Sequence, residues 1–136
     1  KMKIGIVVAD FNKEITSRME KKALEIAKKL KADIIEKIHV PGSFEIPIML
    51  KKLLKNKNID GAVALGAVIQ GDTWHDVIVA ESAARKIMNL SLECNKPIGL
   101  GIIGPRVTWE QAEKRAEEYA ERAVKTTVEM IRKLKG

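Results

Sequence analysis

The chain has 136 residues, 46% of them hydrophobic, with 25 Lys and Arg against 18 Asp and Glu for a formal charge of +7. That length accommodates one domain with a sizeable core, and the mix of apolar and charged residues excludes a disordered chain; the apolar runs fall far short of a membrane span, and no signal leader opens the sequence. The positive excess does not point to nucleic acid, because Lys21-Lys22, Lys28-Lys29, Lys51-Lys52 and Arg132-Lys133 are scattered among acids with no aromatic residues between them for base stacking, whereas small anionic ligands account for it.

Lys3 to Ala9 is a short, nearly continuous apolar run, the pattern of a strand buried on both faces of a parallel sheet. It stops at Asp10-Phe11-Asn12. Ile15, Met19, Ala23, Leu24, Ala27 and Leu30 then recur at helical spacing, predicting an amphipathic helix over residues 13–30. Asp33 to Val40 reads as the second strand, and Pro41-Gly42-Ser43 breaks it. Phe44, Ile46, Leu50, Leu53 and Leu54 predict a second helix, in which Pro47 is tolerable only within the first turn. Asn56-Lys57-Asn58 closes it before a third strand, Ile59 to Leu65. A turn over residues 66–76 follows, and Val77, Ile78, Ala80, Ala83, Ala84, Ile87 and Met88 predict a helix over residues 77–94. Near its end lies the single cysteine, Cys94, which excludes an internal disulfide framework and fits a thiol in a reducing, cytoplasmic compartment. Ile98 to Ile103 is the fourth strand, Gly104-Pro105 a turn, and Thr108-Trp109-Glu110-Gln111 has the Thr-x-x-Gln form of a capping box. The last pattern runs from Ala112 through Ala116, Tyr119, Ala120, Ala123, Thr127, Met130 and Ile131 to Leu134. It is long for one globular helix and leaves room for one bend.

Strands alternating with helices make βαβ units with right-handed crossovers, hence an α/β sandwich around a four-stranded parallel sheet. In such sheets ligands bind beyond the carboxyl ends of the strands, where the strand order reverses. Asp10-Phe11-Asn12, Gly42-Ser43-Phe44-Glu45 and Gly71 to His75 leave strands at that edge and are expected to meet. In the third segment Gly71 permits a tight turn or a close backbone approach, while Asp72, Thr73 and Asp76 suit turns and helix starts. A helix beginning there aims free N–H groups and its positive end at a guest, of which phosphate is the natural one. His75, one of two histidines, could move protons near neutral pH. The same residues equally describe an ordinary βα loop with a surface histidine. Phe11 either stacks on a flat heterocycle or plugs the open end of the sheet. Ser43, Phe44 and Glu45 either present backbone groups and a carboxylate to a polyhydroxylated substrate or cap a helix. Arg115 and Arg122 share one helix face, roughly 10 Å apart along the axis at 1.5 Å per residue. They suit phosphate or hydroxyl-rich ligands, or pair with neighbours such as Glu118. His39 reads as structural, and neither a Ser-His-Asp set, a metal-ligand cluster nor a Gly-x-x-x-x-Gly-Lys loop is present.

Four segments together resemble the lumazine synthase family in order and spacing over nearly the whole chain: Gly5-Ile6-Val7-Val8-Ala9-Asp10-Phe11-Asn12, Val40-Pro41-Gly42-Ser43-Phe44-Glu45-Ile46-Pro47, Gly66-Ala67-Val68-Ile69-Gln70-Gly71-Asp72-Thr73-Trp74-His75-Asp76, and Glu110-Gln111-Ala112 leading to Arg115. The Pro-Gly-Ser-Phe-Glu-Ile-Pro and Gly-Asp-Thr-x-His segments are the specific ones. The resemblance implies a three-layer α/β/α, flavodoxin-like fold. It also implies a condensation, needing no cofactor or metal, of 5-amino-6-ribitylaminouracil with 3,4-dihydroxy-2-butanone 4-phosphate to give 6,7-dimethyl-8-ribityllumazine. Phe11 would stack on the pyrimidine, Ser43, Phe44 and Glu45 would hold the ribityl chain and ring edge, and Val68 and Ile69 would line the pyrimidine site with backbone groups. Gly71, Asp72 and Thr73 would cradle the phosphate, and His75 would shuttle protons. Arg115 would bind the phosphate from a neighbouring subunit. Leu100 stands where the family often places an aromatic residue against that neighbour's ligand, and Arg122 is the candidate for a ribityl-contacting basic residue. Trp74 occupies a position that is usually less bulky. A site spanning two subunits implies a homo-oligomer, a pentamer or a sixty-subunit shell. Two alternatives belong to other readings: the related pentameric riboflavin synthase, against which Phe44-Glu45-Ile46-Pro47 and His75 argue, and a non-enzymatic α/β module binding a ribityl or flavin-like ligand.

Overall fold

The computed structural model describes residues 1–136. Strands β1 (Lys3–Ala9) and β3 (Gly61–Ala67) are buried along almost their whole length, so both of their faces require cover. They form the centre of a parallel sheet in the order β2-β1-β3-β4, with β2 (Asp33–Val40) and β4 (Ile98–Ile103) at the edges. Successive side chains of a strand point to opposite faces. Ile4, Ile6 and Val8 of β1 therefore enter one core with α1 (Lys13–Lys29) and α4 (Trp109–Lys135), while Val7 and Ala9 enter another with α2 (Ile46–Leu54) and α3 (His75–Cys94). The result is a three-layer α/β/α sandwich, with the strand order of a flavodoxin-like fold.

Where elements differ from the sequence pattern, a local contact accounts for it. β3 starts at Gly61 rather than Ile59 because Asp60 turns aside. Its carboxylate accepts the Lys3 N–H at 2.9 Å and pairs with Lys135 at 3.1 Å. The strand continues to Ala67, opposite Ile103. The helix predicted from Phe44 is divided into a 3-10 turn, Ser43–Glu45, and α2. The Gly42 N–H donates to the Glu45 carboxylate at 2.9 Å and the Glu45 N–H to the Gly42 carbonyl at 3.1 Å, which tightens that turn, and Pro47 falls in the first turn of α2 where its missing N–H costs nothing.

The capping box at Thr108 forms: the Gln111 N–H donates to Thr108 Oγ1 at 3.1 Å and the Thr108 N–H to Gln111 Oε1 at 2.9 Å. From there α4 runs as one helix of 27 residues. Ala112, Ala116, Ala120 and Ala123 give it a continuous buried face of small side chains. That face brings the backbone of α4 close to β4. A Cβ on Gly99 would strike the Ala123 carbonyl and the Thr127 hydroxyl, which itself donates to the Ala123 carbonyl at 2.8 Å.

At the carboxyl end of β2, His39 Nδ1 lies 2.7 Å from the Asp10 carboxylate and Nε2 lies 3.0 Å from that of Glu20, tying β2 to the exit of β1 and to α1. Both ring nitrogens can donate only in the imidazolium form. The hydrogen bond to Asp10, and with it that to Glu20, holds the His39 pKa above its ordinary value against the opposing effect of burial.

Two outcomes follow for stability. Gly99→Ala should lower the unfolding free energy by about 1–3 kcal/mol through overpacking, read as a fall in the urea midpoint at constant slope, and an unmoved midpoint would contradict the close approach of α4. A group whose folded pKa is raised stabilises fully below its unfolded pKa and loses that contribution as pH rises through the folded value. The melting temperatures of the wild type and His39→Gln should therefore differ more near about pH 6 than near about pH 9, and a gap independent of pH would remove the imidazolium from the account.

Candidate active site

The chain passes from β1 outward to β2 and then returns across the sheet to β3, so the strand order reverses between β1 and β3. Loops leaving two such strands diverge. Here they open a cleft of about 390 Å³.

The loop after β1 is fastened at several points. The Asp10 and Phe11 N–H groups donate to the Val40 and Pro41 carbonyls at 2.7 and 2.8 Å, and Asn12 Nδ2 donates to the Ala67 carbonyl at 2.8 Å. Asn12 has φ 64, a left-handed conformation that asparagine tolerates better than most residues. The side chain of Phe11 is left 71% exposed at the cleft, so it does not plug the end of the sheet. On the opposite wall Ser43 is buried against Gly66, where a Cβ would meet its hydroxyl oxygen. Phe44 is largely exposed, and Glu45 lines the cleft while its carboxylate caps its own turn. The segment thus caps its own turn and at the same time lines the cleft.

Beyond Ala67 the chain keeps pairing with the extension of β4, the Val68 N–H donating to the Ile103 carbonyl at 2.8 Å and the Gln70 N–H to the Val107 carbonyl at 2.9 Å. Gly71 to Trp74 then form an exposed turn whose backbone N–H groups donate to no protein acceptor. The Val77 and Ile78 N–H groups close on the Trp74 carbonyl at 3.1 and 3.3 Å, and the His75 N–H donates to Thr73 Oγ1 at 3.3 Å. These bonds start α3 at His75, two positions before residue 77 where the apolar pattern begins. His75 is thus the first helical residue, exposed at the cleft, beside free N–H groups at the positive end of the helix.

Of the residues singled out from sequence, Phe11, Ser43, Phe44, Glu45, Val68, Ile69, Gly71, Thr73 and His75 line this one cleft, and Asp72 lies on the same turn outside the lining. Leu100, Arg115 and Arg122 stand apart from it. Gly99 and Gly101 face α4, so Leu100 points to the α2/α3 side, 49% exposed. Arg115 Nη1 donates to the Gln111 carbonyl at 3.2 Å. Arg122 pairs with Glu118 at 3.1 Å and stacks on Tyr119, 4.9 Å from the ring centre.

Asn12 and Asp76 also line the cleft without having been counted among the site residues. Asp76 had a visible signal as an acid at a helix start. Its side chain is 2% exposed and is held by Arg106, whose backbone N–H and Nε donate to Oδ2 at 2.8 and 3.0 Å and whose Nη2 donates to Oδ1 at 2.6 Å. The hydrogen bonds from the Arg106 side chain keep the Asp76 pKa down at about 2 despite its burial. Arg106 itself has no sequence signal, since its role depends on a partner distant in the chain.

A larger, shallower groove of about 620 Å³ runs between α2 and α3, lined by Pro47, Ile48, Lys51, Ala83, Lys86 and Leu90 among others. It holds no histidine or free N–H turn and offers no comparable chemistry. No group of three or more His, Cys, Asp and Glu is arranged to hold a metal ion, and no helix is long and apolar enough to cross a membrane.

The family model described as 6,7-dimethyl-8-ribityllumazine synthase matches residues 1–135. Among curated proteins with that name, the one from Metallosphaera sedula is 51% identical over 135 residues, covering 99% of this chain and 89% of its own length. The one from Saccharolobus islandicus is 52% identical over 132 residues, with 97% and 86% covered. The one from Methanopyrus kandleri is 48% identical over 134 residues, with 98% and 94% covered. With about half of the residues identical over almost the full length, and the family model matched from residue 1 to residue 135, this chain belongs to the 6,7-dimethyl-8-ribityllumazine synthase family.

Proposed function

We propose that the protein joins 5-amino-6-ribitylaminouracil to 3,4-dihydroxy-2-butanone 4-phosphate, releasing phosphate and water and forming 6,7-dimethyl-8-ribityllumazine. The observation that carries this reading is the meeting in one cleft of an exposed aromatic ring on a fixed backbone, a turn of unengaged N–H groups at a helix start, and His75 beside them. Phe11 stacks on the pyrimidine; Ser43, Phe44 and Glu45 hold the ribityl chain and ring edge; Val68 and Ile69 supply backbone groups to the ring. Gly71, Asp72 and Thr73 receive the phosphate, using free N–H groups and the Thr73 hydroxyl at the positive end of α3.

The chemistry needs little beyond these parts. The 5-amino nitrogen attacks the ketone carbon and the carbonyl oxygen departs as water to leave an imine. Loss of a proton from the adjacent carbon expels the phosphate with the electron pair of its C–O bond. The resulting enol becomes a ketone, and the ribitylamino nitrogen closes the ring on that carbonyl with loss of a second water. Each step moves a proton between nitrogen, carbon and oxygen, which is the work of His75. Holding amine and ketone together contributes most, on the order of 7–11 kcal/mol, and acid–base help adds about two to four orders of magnitude.

Arg115, Arg122 and Leu100 stand away from the cleft of their own chain, which supports a site completed by a neighbouring subunit in a homopentamer, alone or within a sixty-subunit shell. Arg115 then reaches the phosphate, and Arg122 and Leu100 the remainder of the ligand, across that boundary. Ile48, Ile78, Met88 and Leu92, exposed on α2 and α3 on the same side as Leu100, supply apolar surface for such an assembly. The protein works as one cytoplasmic domain.

Mixing the protein with both substrates and following lumazine absorbance should show acceleration over the protein-free rate, and its absence from folded protein would overturn the synthase reading. His75→Ala should lose about two to four orders of magnitude in turnover yet stay above the uncatalysed rate, and complete loss in a folded variant would contradict that division of labour. Arg115→Ala should raise KM for the butanone phosphate more than it lowers kcat, and unchanged saturation would end its assignment.

A further inference from the structure

Three residues around His75 are held by one side chain from a different loop. Besides its bonds to the Asp76 carboxylate, Arg106 Nη2 donates to the Thr73 carbonyl at 3.3 Å, and its guanidinium lies over the Trp74 ring, 4.4 Å from the centroid. Thr73, Trp74 and Asp76 are the neighbours of His75 in the chain, so the turn with free N–H groups and the first residue of α3 are fixed through Arg106. The backbone at Arg106 makes this contact set more pointed. Its φ is 58, in the left-handed region, where an L residue other than glycine is strained by about 1–2 kcal/mol. Asn12 and Asn95, also left-handed, are of the type that tolerates it, and Lys31 ends α1 just after its C-cap. Arg106 has neither excuse. Its side chain reaches Asp76, Thr73 and Trp74 from that backbone.

Charge gives a second reason for the arrangement. Asp76 is the second residue of α3 and lines the cleft, so its carboxylate stands close to the N–H groups that would receive an anion. Left alone, it would repel that anion. Arg106, its own side chain half-buried, pairs with the buried carboxylate and offsets its charge.

We propose that Arg106 is a positioning residue for phosphate recognition: by holding the Asp76 carboxylate, the Thr73 carbonyl and the Trp74 ring, it sets the direction of the free N–H groups at the start of α3 and keeps the Asp76 charge off the phosphate. The inference rests on the synthase reading for the identity of the phosphate substrate.

The test uses Arg106→Gly, which removes the side chain while relieving the left-handed backbone, and Arg106→Gly/Asp76→Asn, which also removes the orphaned buried carboxylate. Folding of both is checked by circular dichroism. Both should raise KM for the butanone phosphate, the single variant on the order of tenfold or more, while KM for the ribitylaminouracil stays within about twofold. The double variant should recover part of the loss, because the repulsion is gone while Thr73 and Trp74 remain unheld. A purely structural role would lower the melting temperature and leave both KM values unchanged, which would overturn the proposal, as would an equal rise in both. If the wild type itself fails to turn over, the synthase reading falls, and titration of inorganic phosphate into wild type and Arg106→Gly then decides the inference separately. Weaker binding by the variant supports it; equal binding, or none by either protein, overturns it.

Discussion

The rest of this structure depends on the burial of β1 and β3 on both faces. Two adjacent strands without a solvent face require helices above and below the sheet, and right-handed parallel crossovers then leave few ways to arrange them. Laying β2 outside β1 and β4 outside β3 puts the reversal of strand order between the two buried strands. The most deeply buried part of the sheet therefore supports its most open edge. The bond from Asn12 to the Ala67 carbonyl spans that reversal and ties together the two walls that it would otherwise let diverge.

The fold was legible because its signals are local and repeated. β1, β2 and β4 have the limits that their apolar runs indicate, and α1 follows its helical spacing to within one residue. The differences arise where one hydrogen bond outweighs a pattern. His75 joins α3 because Trp74 and Thr73 supply acceptors, although the apolar spacing begins only at Val77. α4 is a single helix of 27 residues whose stripe of alanines offers the sheet and α1 an even face. The cleft was legible in part: the segments after β1, β2 and β3 all carry unusual residues, and sheet topology requires those ends to converge. Arg106 was not legible. Its significance lies in a contact with Asp76, 30 residues earlier in the chain, and a single arginine after a Gly-Pro turn has no periodicity or spacing to mark it.

The ion pairs divide along the same line. Arg122 with Glu118, Lys125 with Glu121 and Lys29 with Glu25 are exposed pairs along helices, and such pairs contribute little. Arg18 joins α1 to α4 more firmly, its Nε and Nη2 donating to the two Glu117 oxygens at 2.9 and 2.7 Å and Nη2 also to the Glu113 carbonyl at 2.8 Å. Only the Asp76 carboxylate is almost wholly withdrawn from solvent, and it is the one beside the cleft. Removing a partner from a buried pair costs far more than breaking a surface one. The start of α3 is thus among the most strongly determined points on a surface that is otherwise loosely charged.

Phe11 combines a backbone held by its own bond to the Pro41 carbonyl and by that of Asp10 to Val40 with a side chain left largely exposed. A phenylalanine side chain has two torsions, so a flat guest settling on it has only those to restrain, the main chain having been restrained by folding itself. The ordering entropy that usually accompanies recognition by a loop has here been moved into the formation of the sheet. Affinity at this wall of the cleft should accordingly be less sensitive to temperature-driven loosening than an exposed aromatic on a free loop would be, because the freedom that heating restores is confined to one ring.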